Sequence, residues 1–223
     1  MTAEHDSGDA GSPACFLHEL DPAGSPRVDP QQALDVNRWR KAERERLIAA
    51  RLRLAPESRG AQTLAIAGDL DRLVPAAAGT IVSVYWPIRG EPDLRPWMLA
   101  KYAQGIRLAL PEARVLDQAL VFREWRPGAP LGRGLWNIPY PADGMEVVPT
   151  VVLAPLVGFD PACYRLGYGG GFFDRTLARM TGRQLRIGIG YADALIDTIF
   201  PQPHDIPMDW IVTGTHAPRR RVS

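Results

Sequence analysis

Cysteine is scarce in this chain, with only Cys15 and Cys163 among 223 residues. Two thiols so far apart form neither a disulfide framework nor a metal-ligand spacing, and Cys163 reads as a small apolar loop residue. Histidine is also rare, and the four present, His5, His18, His204 and His216, lie mostly near the termini. There is no Ser-His-Asp order, no His/Cys cluster and no G-x-S-x-G, so covalent catalysis finds little support. Excess charge is missing too: 26 Lys and Arg against 25 Asp and Glu leave a net +1. That balance supplies no strong field for nucleic acid or an anionic membrane. No apolar run approaches the roughly 18 residues a membrane helix needs. The first residues are acidic and polar, without the basic and then apolar regions of a secretory signal. A cytoplasmic location is the expectation by default.

What is present is a hydrophobic content of 46%, enough for a sizeable core. The length suits one domain with a tail. Residues 1–30, rich in Asp, Gly, Ser, Pro and Ala, bury too little to offset the entropy of ordering. They are expected to form a disordered arm ahead of a single α/β domain over 31–223. Helices are expected from about Pro30 to Leu54, Ser58 to Leu73, Leu94 to Gln104, Phe173 to Thr181 and Ala192 to Ile199. Strands are expected over Ile81–Trp86, Ile106–Leu110, Leu120–Glu124, Val151–Leu156, Leu185–Gly190 and Trp210–Thr213. This alternation predicts a layered α/β fold with a mainly parallel sheet, whose ligands bind at the carboxyl ends of the strands.

The densest signal is Arg165-Leu166-Gly167-Tyr168-Gly169-Gly170-Gly171-Phe172-Phe173-Asp174-Arg175. It follows an apolar run and precedes a helical segment. Glycines let backbone amides approach a ligand, and a helix N-terminus favours negative charge, so the pattern points to a phosphate. It is neither a P-loop, lacking Gly-Lys-Ser/Thr, nor the G-x-G-x-x-G dinucleotide fingerprint. A tight glycine turn that binds nothing is the other reading of the same spacing.

Four further features bear on chemistry. The first helix carries Arg38, Arg40, Lys41, Arg44, Arg46, Arg51 and Arg53. Most of these read as a solvated face, Arg51 among them, while Arg40 and Arg44 share a face and can reach phosphates. Tyr85 to Pro92 ends a strand with aromatics and then Glu91, able to stack and hydrogen-bond a flat ring or simply to fill core and turn. Trp136-Asn137-Ile138-Pro139 lies in a Gly/Pro-rich loop, where packing is the simpler reading of Trp136. Asp174 and His204-Asp205 are candidate magnesium contacts, since magnesium on a nucleotide takes one or two carboxylates. A dipole partner and a plain turn are the alternatives.

Together and in this order, the pieces resemble the 5-formyltetrahydrofolate cyclo-ligase family. The resemblance rests on Arg40 to Glu57, Tyr85 to Glu91, Trp136 to Pro139, Gly158 to Asp174 and the ending His204 to Asp209 with Val212-Thr213. It covers about Asn37 to Thr213, and the glycine block is its most specific part. It implies a three-layer, Rossmann-like α/β fold and an ATP- and magnesium-dependent ring closure. The formyl oxygen of 5-formyltetrahydrofolate takes the γ-phosphoryl group, N10 attacks, and 5,10-methenyltetrahydrofolate forms with ADP and phosphate.

By position, the resemblance places ATP against Arg40, Arg44, Arg165, Gly167, Tyr168, Gly169, Gly170, Gly171, Phe172 and Phe173. It places folate against Trp86, Glu91, Trp136, Tyr168 and Phe172, and magnesium against Asp174 and Asp205. Arg165 and Asp174 are the candidate catalytic pair. The implied partners are the two substrates, with no nucleic acid, no membrane and a monomer or small homo-oligomer. Phe172 and Phe173 stand where the family has paired tyrosines, which removes hydroxyls and keeps rings. Tyr168 and Gly170 stand where some relatives carry basic residues. A non-catalytic binding or regulatory protein on the same scaffold, and an RNA-associated protein using the basic helix, are the alternatives.

Overall fold

A computed structural model describes residues 30–222. The expected arm lies outside the described residues, apart from Pro30, where the first helix starts. The chain divides into two units, residues 1–38 and 39–223, with the boundary inside that helix. The sheet and the residues of the site belong to the second unit.

Helix α1 spans Pro30–Arg53 and α2 spans Pro56–Leu73. Pro56 separates them: the residue before a proline is pushed out of the helical region, and Ala55 is extended at φ −59°, ψ 143°. Next come β1 (Ile81–Ser83), α3 (Arg95–Ala103), β2 (Arg107–Glu112) and β3 (Val121–Trp125). A two-stranded ribbon of β4 (Leu131–Arg133) and β5 (Pro139–Pro141) follows. After β6 (Val151–Pro155), a second ribbon, β7 (Gly158–Phe159) with β8 (Arg165–Leu166), leads into α4 (Phe172–Arg179). The chain closes with β9 (Leu185–Ile189), β10 (Trp210–Val212) and β11 (Arg219–Arg220).

The main sheet has the order β11-β10-β9-β6-β1-β2-β3. Its five inner strands are parallel and both edge strands are antiparallel. Successive side chains of a strand face opposite ways, and here both faces are dry, as helix-covered parallel sheets require. Val151 and Leu153 of β6 join the core formed with Ile66 and Leu70 of α2 and Trp97 and Met98 of α3. Val152 and Ala154 join a second core with Leu177 of α4, Phe159 and Met208. The result is the expected mixed α/β fold with a mainly parallel sheet between helical layers.

The expected helix over Ala192–Ile199 is not there. A single 3-10 turn at Ala192–Ala194 is followed by irregular chain. Tertiary partners override local helix preference: Ile196 N donates to Phe159 O and Ile199 N donates to Asp160 Oδ2. Ile199 is thereby buried in a small cluster with Leu47 of α1, Val157 and Leu166. The two ribbons and β11, short and Gly/Pro-rich or charged, had no counterpart in the sequence pattern. Among the described residues, no helix is long and apolar enough to cross a membrane.

The chain passes from β1 to β2 on one side and later places β6 on the other side of β1. Strand order therefore reverses between β1 and β6, the position where α/β sheets open a crevice at their carboxyl ends. The turn carrying Glu91 leaves β1 there, and the segment leading to the glycine loop leaves β6.

Candidate functional site

The glycine loop runs from the end of β8 into α4. Gly169 (φ 98°) and Gly171 (φ 62°) are left-handed, which a side chain with a Cβ disfavours. A Cβ at Gly170 would lie 2.9 Å from both the Phe172 and the Trp136 rings. The loop is therefore shaped by close approach as well as by backbone conformation. The first amides of α4 have no partner within the helix, so they are available to an anion at its entrance.

Arginines surround this loop. Arg44 Nε donates to Gly167 O at 2.7 Å, and its guanidinium carbon lies 3.4 Å from where a Cβ of Gly169 would sit. Burial, and then the nearby Arg40, push its pKa down, with Asp205 opposing them. Arg165 is buried, donates to Asp174 Oδ2 at 2.8 Å and covers the Phe173 ring at 5.1 Å. Its Nε has no hydrogen-bond partner among the described residues. Arg175, overlooked in the sequence, donates to Gly170 O and lies over the Phe172 ring at 5.6 Å. Its position four residues after Gly171, on a helix leaving the loop, was the available signal.

Arg40 turns into the protein. It is buried, donates to the carbonyls of Ile199 and Phe200, both at 2.9 Å, and forks onto both oxygens of Asp205 at 3.3 and 2.5 Å. Asp205 Oδ2 also accepts the Gln202 amide at 2.6 Å. Asp174 accepts Arg165 on one oxygen and the Ile206 amide on the other, at 3.3 Å. The loop after β9 thus joins both carboxylates, one at Ile206 and one next to it.

Oxygen donors suit magnesium, which is held by one or two carboxylates together with phosphate oxygens and water. Asp174, with one protein donor on each oxygen, keeps lone pairs for such an ion. Asp205 is more fully engaged, so direct coordination there would require the Arg40 fork to open. Among the described residues, no group of three or more His, Cys, Asp or Glu forms a self-sufficient metal cage.

The opposite wall is built from the turn after β1. Glu91 is buried; it accepts the Ile88 amide on Oε2 and the Tyr168 hydroxyl on Oε1, both at 2.8 Å. Burial raises its pKa to about 7, opposed by those two hydrogen bonds and by Arg51. Tyr168 is raised as well, by burial and by Glu91. Arg51 corrects the expectation of a solvated face: it is buried and donates to Leu156 O at 3.3 Å and to the Tyr168 hydroxyl at 2.9 Å. Arg40, Arg44, Leu47 and Arg51 follow the i, i+4, i+7, i+11 spacing of one inward stripe. That spacing was legible, but the apolar member among three arginines disguised it.

Trp136 is 61% exposed and meets the Phe172 ring edge to face, 5.2 Å between centroids. It and Asn137 are both left-handed, with φ of 54° and 60°. Trp86 is half-buried beneath the Arg95 guanidinium, 5.5 Å from its ring. The structure thus joins Glu91, Tyr168 and Arg51, and separately Trp136, Phe172, Gly170 and Arg175. A different cleft, of about 490 Å³, opens where the strands begin, lined by Thr80, Thr150, Leu185 and Trp210 among others. It contains none of the donors of the glycine loop.

Comparison with known proteins bears on the family and the fold. The 5-formyltetrahydrofolate cyclo-ligase family model matches residues 36–214. A 5-formyltetrahydrofolate cyclo-ligase of Mycolicibacterium smegmatis is 31% identical over 144 residues, 61% of this chain and 74% of the relative. The enzyme of that name from Escherichia coli K12 is 30% identical over 146 residues, 62% and 80% of the two chains. The NMR structure of Aquifex aeolicus 5,10-methenyltetrahydrofolate synthetase matches at a TM-score of 0.70 and 28% identity, covering 82% of this chain and 93% of that one. A 5,10-methenyltetrahydrofolate synthetase from Mycoplasma pneumoniae shares the fold at a TM-score of 0.65 and 23% identity, covering 78% and 98%.

Proposed function

This chain belongs to the 5-formyltetrahydrofolate cyclo-ligase family, and from that premise we propose that it converts 5-formyltetrahydrofolate and ATP to 5,10-methenyltetrahydrofolate, ADP and phosphate. The observation that carries the reading is the meeting of two segments at the strand-order reversal. The glycine loop and the Glu91 turn touch through the Tyr168 hydroxyl, 2.8 Å from Glu91 Oε1. A nucleotide on the loop and a pterin on Glu91 would therefore be neighbours.

In this reading the loop amides of Gly167 to Phe173 hold the triphosphate. Arg44 and Arg165 neutralise its charge, with the unpartnered Nε of Arg165 a donor in waiting. Arg40 supports the same wall indirectly, through the segment it grips at Ile199 to Asp205. Asp174 would hold a magnesium ion against the phosphates, with Asp205 behind it; when bound, that ion would neutralise phosphate charge. Glu91 accepts ring N–H donors of the pterin, while Trp86 and Trp136 offer aromatic faces to it. Tyr168 and Phe172 lie between the two substrates.

The chemistry asks for little more. The formyl oxygen attacks the γ-phosphorus and ADP leaves. N10 then attacks the formyl carbon, the carbon–oxygen bond breaks with loss of phosphate, and N10 gives up its proton. Phosphoryl transfer depends on positioning and charge stabilisation more than on a protein nucleophile, which fits a site rich in amides and arginines. The test is a single turnover of folded protein with ATP, magnesium and 5-formyltetrahydrofolate, followed by near-ultraviolet absorbance of the methenyl product. Product formation is expected, and its absence would overturn the proposal.

A further inference from the structure

A line of three side chains crosses the site and joins three separate elements. Arg51, on the last turns of α1, donates from Nη2 to the Tyr168 hydroxyl at 2.9 Å. Tyr168, inside the glycine loop, donates that hydroxyl's proton to Glu91 Oε1 at 2.8 Å. Glu91, on the turn after β1, is fixed at its other oxygen by the Ile88 amide at 2.8 Å. Arg51 and Glu91 are only 7% and 6% exposed, so neither can turn to water without leaving the other side of the line unsatisfied.

We infer that Arg51 and Tyr168 are positioning residues for Glu91, with the guanidinium orienting the phenol and the phenol aiming Oε1 at the ring N–H donors of the substrate. The inference rests on the proposed function for the identity of that substrate. A phenol suits this place because one hydroxyl both accepts from the arginine and donates to the carboxylate. Arg51 does not need to touch the substrate. Its guanidinium lies 5.7 Å from the centroid of the Tyr168 ring, and that of Arg89 lies 5.8 Å away. The ring is thus held by two cations as well as by its hydroxyl. Because Tyr168 sits between Gly167 and Gly169, a displacement of the loop also displaces the partner of Glu91.

Other groups around Glu91 do not replace this line. The phenols of Tyr85 and Tyr191 feel the Glu91 charge only through space. The Tyr85 hydroxyl is spent on Pro92 O at 2.9 Å. Arg59 lies beyond the turn, 3.3 Å from where a Cβ of Gly90 would sit. The Ile88 amide and the Tyr168 hydroxyl are the hydrogen bonds that favour ionised Glu91, and Arg51 favours it through space. Loss of the hydroxyl removes one of them, and loss of the guanidinium another, so both changes favour the protonated form.

The test uses ligand-free protein labelled with carbon-13 at the glutamate side-chain carboxyls, titrated by NMR, with Glu91→Gln assigning the resonance. Wild-type Glu91 should titrate near 7. Tyr168→Phe and Arg51→Met should move the midpoint upward, and Arg51→Lys should restore part of the shift. In parallel, the KM for 5-formyltetrahydrofolate at neutral pH should rise about tenfold in Tyr168→Phe, the size of one lost hydrogen bond to a charged group. Raising the pH should recover the part of that loss that comes from protonation of Glu91, and the part that comes from its lost orientation should remain. An unchanged midpoint in Tyr168→Phe overturns the inference, even if Arg51→Met fails to fold. A wild-type protein that makes no product would instead overturn the substrate assignment, while the ligand-free titration would still decide the positioning line.

Discussion

Arg165 donates to Asp174 Oδ2 at 2.8 Å, and the two side chains keep only 4% and 13% of their surface. A carboxylate at the entrance of a phosphate loop would repel the phosphates if nothing cationic lay between them. Arg165 supplies one cation, and the proposed magnesium ion is the second.

Asp174→Asn is therefore expected to lower the catalytic rate at least about tenfold, roughly 1.4 kcal/mol of barrier, and to shift the magnesium requirement upward. The same change leaves Arg165 without its carboxylate, so stability should fall too. Turnover against magnesium at saturating ATP, at a temperature where the variant stays folded, separates the two effects. A wild-type magnesium curve would make Asp174 purely structural. Asp205→Asn should shift that curve less, because Arg40 already occupies both of its oxygens.

The arginines of α1 should divide by role. Arg40→Ala leaves Asp205 buried without its partner, and removing one member of a buried pair costs about 3–5 kcal/mol. Arg44→Ala should spare stability and weaken nucleotide binding about tenfold or more, as expected for one charge-assisted hydrogen bond. Urea unfolding and equilibrium binding of ATP measure the two quantities. Equal losses of stability in both variants would contradict the division.

Substitution of the loop glycines should act on ATP. Valine at Gly169 meets a backbone at φ 98°, where a residue with a Cβ loses roughly 1–2 kcal/mol and a branched one more. Gly170→Val drives its Cβ into the Phe172 and Trp136 rings. The KM for ATP should rise about tenfold or more in each. Unchanged ATP kinetics in folded variants would remove the loop from the nucleotide site.

Glu91 makes a prediction about stability and pH. Its pKa is about 7 in the folded chain against an ordinary 4.5, so folding favours the protonated form. The stabilisation is complete below about pH 4.5 and is lost as pH rises through about 7, on the order of 3 kcal/mol in all. Urea unfolding at pH 5 and 8 should show wild type losing more stability than Glu91→Gln over that interval. Parallel losses would contradict the burial argument.

Much of this was legible in sequence, for local reasons. Glycine spacing after an apolar run placed the loop, and apolar runs and helical patterns placed the inner strands and α1 to α4. Arg44 and Glu91 stood out because of their neighbours in sequence. Arg51 did not, because its partners are Tyr168 and the carbonyl of Leu156, more than 100 residues away. The segment after Tyr191 looked helical in isolation, yet it is drawn out by the Phe159 carbonyl and the Asp160 carboxylate. Such hydrogen bonds exist only once the sheet is assembled, so the neighbouring sequence does not name their partners.

The central claim is ring closure through phosphorylation of the formyl oxygen on this loop. The most direct measurement places oxygen-18 in the formyl group of 5-formyltetrahydrofolate and follows a turnover with ATP and magnesium by mass spectrometry of the released phosphate. The account predicts one labelled oxygen in phosphate for each methenyl product formed. Methenyl product accompanied by unlabelled phosphate would contradict it.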